Sequence, residues 1–339
     1  MAVYKIFPEK DTFISSRRST QNFGRDEILE VFRYAYDSST SLDTTRALIQ
    51  FPNTSIQDVI TNTISGSTYS ASLKLYLANA TIPADYTLFG HRLTTAWDMG
   101  LGRSADDPIT TAGCTWIFPW TTPGGDYNAT AYSQSFLYTD NKDLNMNITT
   151  LVNYWYSNPN SNYGILLKQS SSVENNTTSS FGVDFFSMDT HTIYPPQIEL
   201  KWNDSLYSTT LTQITTSNFI PVISNNKSEF EENTIYTFRI KCRDTFPARS
   251  FSTSSVYLNP KALPSTTYWA LKDAKTEEMV IDFDTTFTKV NCDNTSNYFK
   301  LYMNGLEPER YYQILIKTIL SSGETIVIDD KSNYFKIVR

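Results

Sequence analysis

The chain has 339 residues, enough for two or three domains with cores of their own, since domains of roughly 100 to 200 residues are usual. Aromatic residues make up 14%, charged residues 19% and His only two positions, a balance that suits tyrosine-rich strands rather than helical bundles. A net charge of -7 excludes chain-wide attraction to a phosphate backbone, so no nucleic-acid partner is expected.

No apolar run approaches the roughly 18 to 20 residues that cross a bilayer, so no membrane span is expected. Cys114, Cys242 and Cys292 are too few and too far apart for a disulfide framework or a paired-ligand zinc site. The start, Met1-Ala2-Val3-Tyr4-Lys5-Ile6-Phe7-Pro8, lacks the basic start, apolar run and cleavage site of a signal peptide, so assembly in a reducing cytoplasm is expected. Asn-X-Ser/Thr triplets recur, as chance dictates in a chain this rich in Asn, Ser and Thr.

In chain order, Leu73, Leu75 and Leu77 alternate with Lys74 and Tyr76, the period of two that marks a strand with one buried face. Ile148, Leu151, Val152 and Trp155 follow a helical spacing, with Asn147 as N-cap and Asn158-Pro159 as the stop, so a short helix closes one end of a sandwich. Residues 170–180 are Ser, Thr and Asn apart from Val173 and Glu174, and read as a surface loop. Residues 206–225 are polar around one short Phe219-Ile220-Pro221-Val222 run and read as a linker between a domain over 1–205 and another over 226–339. Tyr236, Phe238, Ile240 and Cys242 then alternate with Thr237, Arg239, Lys241 and Arg243; the basic positions read as a solvated strand face rather than a nucleic-acid patch. Leu306, Pro308 and Tyr312 have the spacing of a tyrosine corner at the penultimate strand of a fibronectin-like sandwich. Ser321-Ser322-Gly323-Glu324 makes a hairpin turn into Thr325-Ile326-Val327-Ile328, and Tyr334-Phe335-Lys336-Ile337-Val338 supplies a last strand. The expected fold is all-β, with an immunoglobulin/fibronectin-like β-sandwich over 226–339.

Chemistry is sparse. His91 and His191 lie in no nucleophile motif, and His91 reads as a strand-surface or core histidine. No metal-ligand spacing occurs, and Gly24, Gly100, Gly102, Gly124 and Gly125 read as isolated turn glycines without a phosphate-binding pattern. Asp282 and Asp284 could form a glycosidase-like pair, but a solvated strand face opposite Ile281 and Phe283 explains them better. No catalytic residue, cofactor or metal is therefore expected, and the protein reads as a non-enzyme. The binding candidates are Trp116, Phe118, Trp120 and Tyr127, whose rings could stack on sugars or meet a partner subunit. The structural or interface reading is preferred for Trp116 and Trp120.

A series of short motifs runs through the first two hundred residues. It comprises Asp11-Thr12-Phe13-Ile14, Asn22-Phe23-Gly24, Arg46-Ala47-Leu48-Ile49-Gln50-Phe51, Trp97, Thr115-Trp116, Asn147 to Trp155, Tyr163-Gly164-Ile165-Leu166-Leu167, Phe186-Ser187 and Pro195-Pro196-Gln197-Ile198-Glu199-Leu200. In this order they resemble the DNRLRE-type module, a jelly-roll β-sandwich classed among carbohydrate-binding modules, over residues 1 to about 203. The chain departs from that family at Ser187-Met188-Asp189, where an arginine followed by an acidic residue is usual. The resemblance offers, as the reading that competes with sugar stacking, Trp116 as the family's core tryptophan and Trp120 at the sandwich edge or against a partner subunit.

A second series resembles the C-terminal part of virion structural proteins of tailed bacteriophages, including cyanobacterial and crAss-like phages. It consists of Phe246-Pro247-Ala248-Arg249-Ser250-Phe251, Tyr268-Trp269-Ala270, Met279 to Asp284 and Tyr298 to Tyr312. The resemblance implies a ring-forming neck, collar or tail protein around the head-to-tail connector, located in the virion after assembly in the host cytoplasm. Its expected partners are copies of itself, as a dodecamer or hexamer, and other neck, portal or tail proteins. The alternative is a glycan-binding adhesin on a tail fibre or tail tip.

Overall fold

The computed structural model describes residues 2–35, 42–139, 142–246 and 260–339. Residues 247–251 of the first motif in the second series lie outside the described residues. The chain is all-β and divides into two compact β-sandwich units. The N-terminal unit holds Lys5–Gly66 and Ser70–Leu200; the C-terminal unit holds Met1–Tyr4, Ser67–Tyr69 and Lys201–Arg339.

The first strands are β1 (Ala2–Ile6), β2 (Lys10–Ser15), β3 (Ile28–Ala35), β4 (Leu42–Gln50), β5 (Tyr69–Leu75) and β6 (Leu77–Thr81). They are followed by β7 (Tyr86–Leu93), β8 (Tyr127–Phe136), β9 (Leu144–Asn147), β10 (Ile165–Gln169), β11 (Phe181–Phe186) and β12 (Gln197–Trp202). The smaller sheet of this jelly-roll sandwich has the order β1-β12-β5-β9, and the larger has β6-β11-β3-β4-β10-β7-β8. β2 lies on β4 at Thr45 to Gln50, beyond the stretch that pairs with β3. A Cβ at Gly90 would sit 2.8 Å from Ile165 Cδ1 and 3.0 Å from the Met146 sulfur, so glycine here lets the two sheets close.

Ala47-Leu48-Ile49 and Ile165-Leu166-Leu167 are buried without alternation. A strand with both faces covered produces such a run. Ile49 and Ile165 share the core face, while Leu48 and Leu166 point to the other face and are covered by the connection between β7 and β8. That cover creates the site described below.

The run expected to continue through Leu77 stops at Leu75, because the chain changes sheet at Tyr76, whose carbonyl accepts the Phe186 amide at 3.1 Å. A short helix, α1 (Asn53–Asp58), continues as a π-turn to Ile64, and α2 (Thr149–Ser157) buries Leu151, Val152 and Trp155. The cap position of α2 is Ile148 rather than Asn147, since Asn147 ends β9; the Asn147 side chain still accepts the Thr149 amide at 3.0 Å. Within the segment expected as a loop, α3 (Ser171–Glu174) forms a single turn capped by Ser170, and Glu174 turns inward to two cations. No helix of the described residues is long and apolar enough to cross a membrane.

The C-terminal unit begins before the expected boundary. It contains β13 (Phe219–Ile223), β14 (Glu229–Glu231), β15 (Ile235–Asp244), β16 (Thr267–Asp273) and β17 (Met279–Ile281). Then come β18 (Asn291–Cys292), β19 (Asn297–Tyr302), β20 (Tyr311–Ile319), β21 (Thr325–Ile328) and β22 (Tyr334–Val338). Its sheets run β13-β15-β19-β18 and β14-β22-β20-β16-β17, with β21 also on β20, an immunoglobulin/fibronectin-like sandwich. The stretch 206–225, expected as linker, supplies β13, which pairs Pro221 with Cys242, and a bridge from Tyr207 to Cys292. Its buried Ile214, Phe219 and Ile223 join the core, apolar positions that polar neighbours mask in the sequence.

Aromatic stacking centres this core, with Trp269 on Phe299 at 4.9 Å and Phe299 on Phe238 at 5.3 Å between ring centroids. Leu306 and Tyr312 are buried, and the Tyr312 hydroxyl donates at 3.3 Å to the carbonyl of Glu307, the residue just before Pro308. Burial pushes that phenol above its ordinary pKa. Asp282 and Asp284 do not share a strand face: β17 ends at Ile281, and Asp284 accepts the Thr286 and Phe287 amides at 2.7 Å, as a turn cap.

Candidate functional site

Residues 94–126 leave β7, cross the outer face of the larger sheet and return as β8 without forming a strand or helix of their own. An irregular segment of this length needs partners for its backbone groups. Asn22 supplies three of them and ties them to the backbone at Gly24. Its Nδ2 donates to the Met99 and Cys114 carbonyls at 2.8 Å each, and its Oδ1 accepts the Gly24 amide at 3.1 Å and the Gly102 amide at 2.9 Å. Every capacity of the side-chain amide is used, in a fully buried position.

Gly24, Gly100 and Gly102 are therefore not isolated turn residues. A Cβ on Gly24 would lie 2.1 Å from the Met99 carbonyl oxygen, and one on Gly102 2.3 Å from that of Asn22. The sequence offered one signal for this hub, Asn22-Phe23-Gly24, but nothing that linked it to Gly100 and Gly102.

Under the segment, Trp97, Cys114 and Trp120 pack with Ile14, Leu48, Leu93 and Leu166. The Trp97 indole donates to the Tyr163 carbonyl at 2.8 Å and the Trp120 indole to the Thr115 carbonyl at 2.8 Å. Trp120, a sequence candidate for stacking on sugar, is thus a core residue with no free ring face. Phe118 lies at the opposite extreme, 61% exposed on the Thr115–Phe118 turn. Trp116 is half-buried, and the Arg46 guanidinium lies over its ring, 5.0 Å from the centroid.

Arg46 is held on all sides. It donates from Nε and Nη2 to Glu174 at 2.9 and 2.8 Å and from Nη1 to the Gly124 carbonyl at 2.7 Å. Lys168 shares Glu174 at 3.1 Å and reaches the Tyr127 hydroxyl at 3.4 Å. Two cations on one buried carboxylate leave a positive bias beneath Tyr127. Beside it, His91 Nδ1 bonds the Asn128 carbonyl at 3.1 Å, which fixes the proton there and leaves Nε2 as an acceptor. Burial, assisted by Lys168 and Arg46 and opposed by bonds to the Asn128 and Thr130 backbone, lowers the His91 pKa.

Tyr127 separates two open clefts and lines both. One, of about 510 Å³, is walled by the hydroxyl-bearing Thr94, Thr95, Thr121 and Thr122 and by Asp126. The other, of about 380 Å³, is walled by Phe89, His91, Lys168, Ser170 and Ser171. Burial raises the Asp126 carboxyl, but the Thr121 and Thr122 amides and the Thr95 hydroxyl outweigh it and hold the group below the usual carboxylate range. Of the four sequence candidates, Tyr127 lines both of these clefts. His91, read as a structural histidine, lies in the second of them. Among the described residues, no group of three or more His, Cys, Asp or Glu is placed to hold a metal ion, and the three cysteines are buried thiols.

Fold and site together define a two-unit β-sandwich protein whose larger N-terminal sheet carries an anchored cover and two clefts that share Tyr127. Compared with models of known protein families and with curated proteins, the chain matches none.

Proposed function

We propose that this chain is a non-enzymatic structural component of a tailed-phage virion, a self-associating protein of the neck, collar or tail ring around the head-to-tail connector. The motif series of the C-terminal unit motivates the reading. The structural observation that supports it most is the cover over the larger sheet, which holds Leu101, Ile109, Ile117 and Phe118 exposed to solvent on a segment whose base is pinned by buried hydrogen bonds. Several large apolar side chains on one anchored segment suit contact with neighbouring subunits. Assembly in the host cytoplasm and final residence in the virion belong to this reading. Immunogold labelling of purified particles with an antibody to the chain tests it: label at the neck or upper tail is expected, and particles without label would overturn it.

A second reading, glycan binding at a fibre or tail tip, is favoured by Tyr127, whose ring stands between a threonine-lined cleft and one holding His91 and Lys168. It predicts glycan-array signal that Tyr127→Ala abolishes while near-ultraviolet circular dichroism is preserved. Arrays without signal would remove it. Trp120→Ala cannot serve as this test, because Trp120 belongs to the core.

A further inference from the structure

A sheet ends in strands whose outer N–H and C=O groups lack a ladder partner, and soluble proteins guard such edges with charge, proline, a bulge or brevity. Most edges of this chain follow that practice. β13 contains Pro221; β14 is three residues long and carries Glu229 and Glu231; β18 has two residues. β6 and β17 pair with register shifts, β9 and β21 have four residues each, and β1 is largely buried.

β8 is the exception. It runs ten residues from Tyr127 to Phe136, without a charged residue or a proline, and among the described residues only β7 pairs with it. Its register with β7 is regular from Ala131 to Phe136, and the one shift falls near its start, where the Asn128 side chain takes the Thr130 amide at 2.9 Å. Ala129, Thr130, Ala131, Ser133 and Ser135 are exposed. Gln134 crosses to the neighbouring edge, where it accepts the Asn145 amide at 2.6 Å and donates to the Asp143 carbonyl at 3.2 Å, so its side chain guards the start of β9.

We propose that the free edge of β8 is where two copies of this chain join, their β8 strands pairing antiparallel about a two-fold axis so that the larger sheet continues from one copy into the next. Charge identifies the occupant. Copies with a net charge of -7 repel one another over most of their surface, and two-fold strand pairing sets residues near the axis against themselves. A charged strand would meet its own like there; β8 does not in any register. Small side chains at Ala129, Ala131, Ser133 and Ser135 let the backbones approach and offer no feature that selects a foreign side chain. Main-chain hydrogen bonds then make the contact, as in β-strand addition. The inference rests on the self-association part of the virion reading and names one contact of it; a two-fold contact closes at two copies, so a ring of such pairs needs a second, heterologous contact elsewhere on the chain.

Sedimentation equilibrium of the full chain over a concentration series tests this, with wild type, Ser133→Lys, Ser133→Glu and an equimolar mixture of the two variants. The wild type is expected to form dimers. Each variant should sediment as a monomer with the circular dichroism and melting of the wild type, and the mixture should recover the dimer by pairing opposite charges. A monomeric wild type overturns the proposal. So do variants that still dimerise, which would mean that self-association stands but uses another surface, and so does a mixture that stays monomeric. Thr130→Lys and Thr130→Glu replace the pair if the Ser133 variants do not fold. Failure of the virion reading is seen separately, as particles without label.

Discussion

Replacing Asn22 with alanine tests whether one side chain holds the 94–126 segment on the sheet. The substitution removes four hydrogen bonds of 2.8 to 3.1 Å and strips two buried amides and two carbonyls of this partner. A hydrogen bond contributes about 1 kcal/mol net, and a buried group left unpaired costs more, so the loss is about 4 to 6 kcal/mol. That is a large part of the roughly 5 to 15 kcal/mol that holds an ordinary domain folded. With a urea slope of about 2 kcal/mol per molar, the unfolding midpoint falls by about 2 to 3 M. Tryptophan fluorescence is the natural probe, since Trp97, Trp116 and Trp120 all lie on the segment. Asn22→Asp sharpens the test: it keeps the acceptor toward Gly24 and Gly102 but places an oxygen against the Met99 and Cys114 carbonyls, and should resemble alanine. A loss below about 1 kcal/mol for Asn22→Ala, the worth of a single bond, would refute the anchoring argument.

Trp120→Ala should cost about 3 to 5 kcal/mol in urea unfolding, whereas Phe118→Ala, at an exposed turn, should stay within about 0.5 kcal/mol of wild type; equal effects would contradict the core placement of Trp120. Glu30 stands directly opposite Asp184 across β3 and β11; burial and then the Asp184 charge push Glu30 up to about 7, and burial pushes Asp184 up to about 6. Both folded-state values exceed the unfolded ones, so their stabilising contribution is full below about pH 4 and is lost as pH rises to about 7. Glu30→Gln should flatten the urea midpoint between those limits and raise it above pH 7; an unchanged profile would sink this assignment. Tyr312→Phe should lower the melting temperature of the C-terminal unit through loss of its bond to Glu307, worth about 1 kcal/mol, and an unaltered melt would count against the tyrosine corner.

Much of the fold was legible because strand and helix periods are local. Phe238, Ile240 and Cys242 alternate inward on β15, and Leu151, Val152 and Trp155 line the buried side of α2, as their spacing requires. The candidate site was less legible. Tyr127 could be singled out as an aromatic near a loop, but the same criterion selected Trp120, because composition does not distinguish a ring above a cleft from one beneath a cover. Glu174 sat in a stretch of Ser, Thr and Asn and looked solvated, although Lys168 on the preceding strand and Arg46, 128 residues away, draw it inward.

The sequence by itself determined the all-β class, the short helix after β9 and the apolar positions that had to be buried, since each depends on neighbours a few residues away. That the unbroken runs at Ala47-Leu48-Ile49 and Ile165-Leu166-Leu167 are covered on both sheet faces was not read from the sequence. Only the tertiary structure decided what that cover is. The Asn22 side chain meets backbone groups 77, 80 and 92 residues away, and the Arg46–Glu174 pair spans 128, so no local pattern could encode these contacts. They exist because the cover, once laid on the outer face of the larger sheet, takes distant polar groups away from most of the solvent, where each must find a partner.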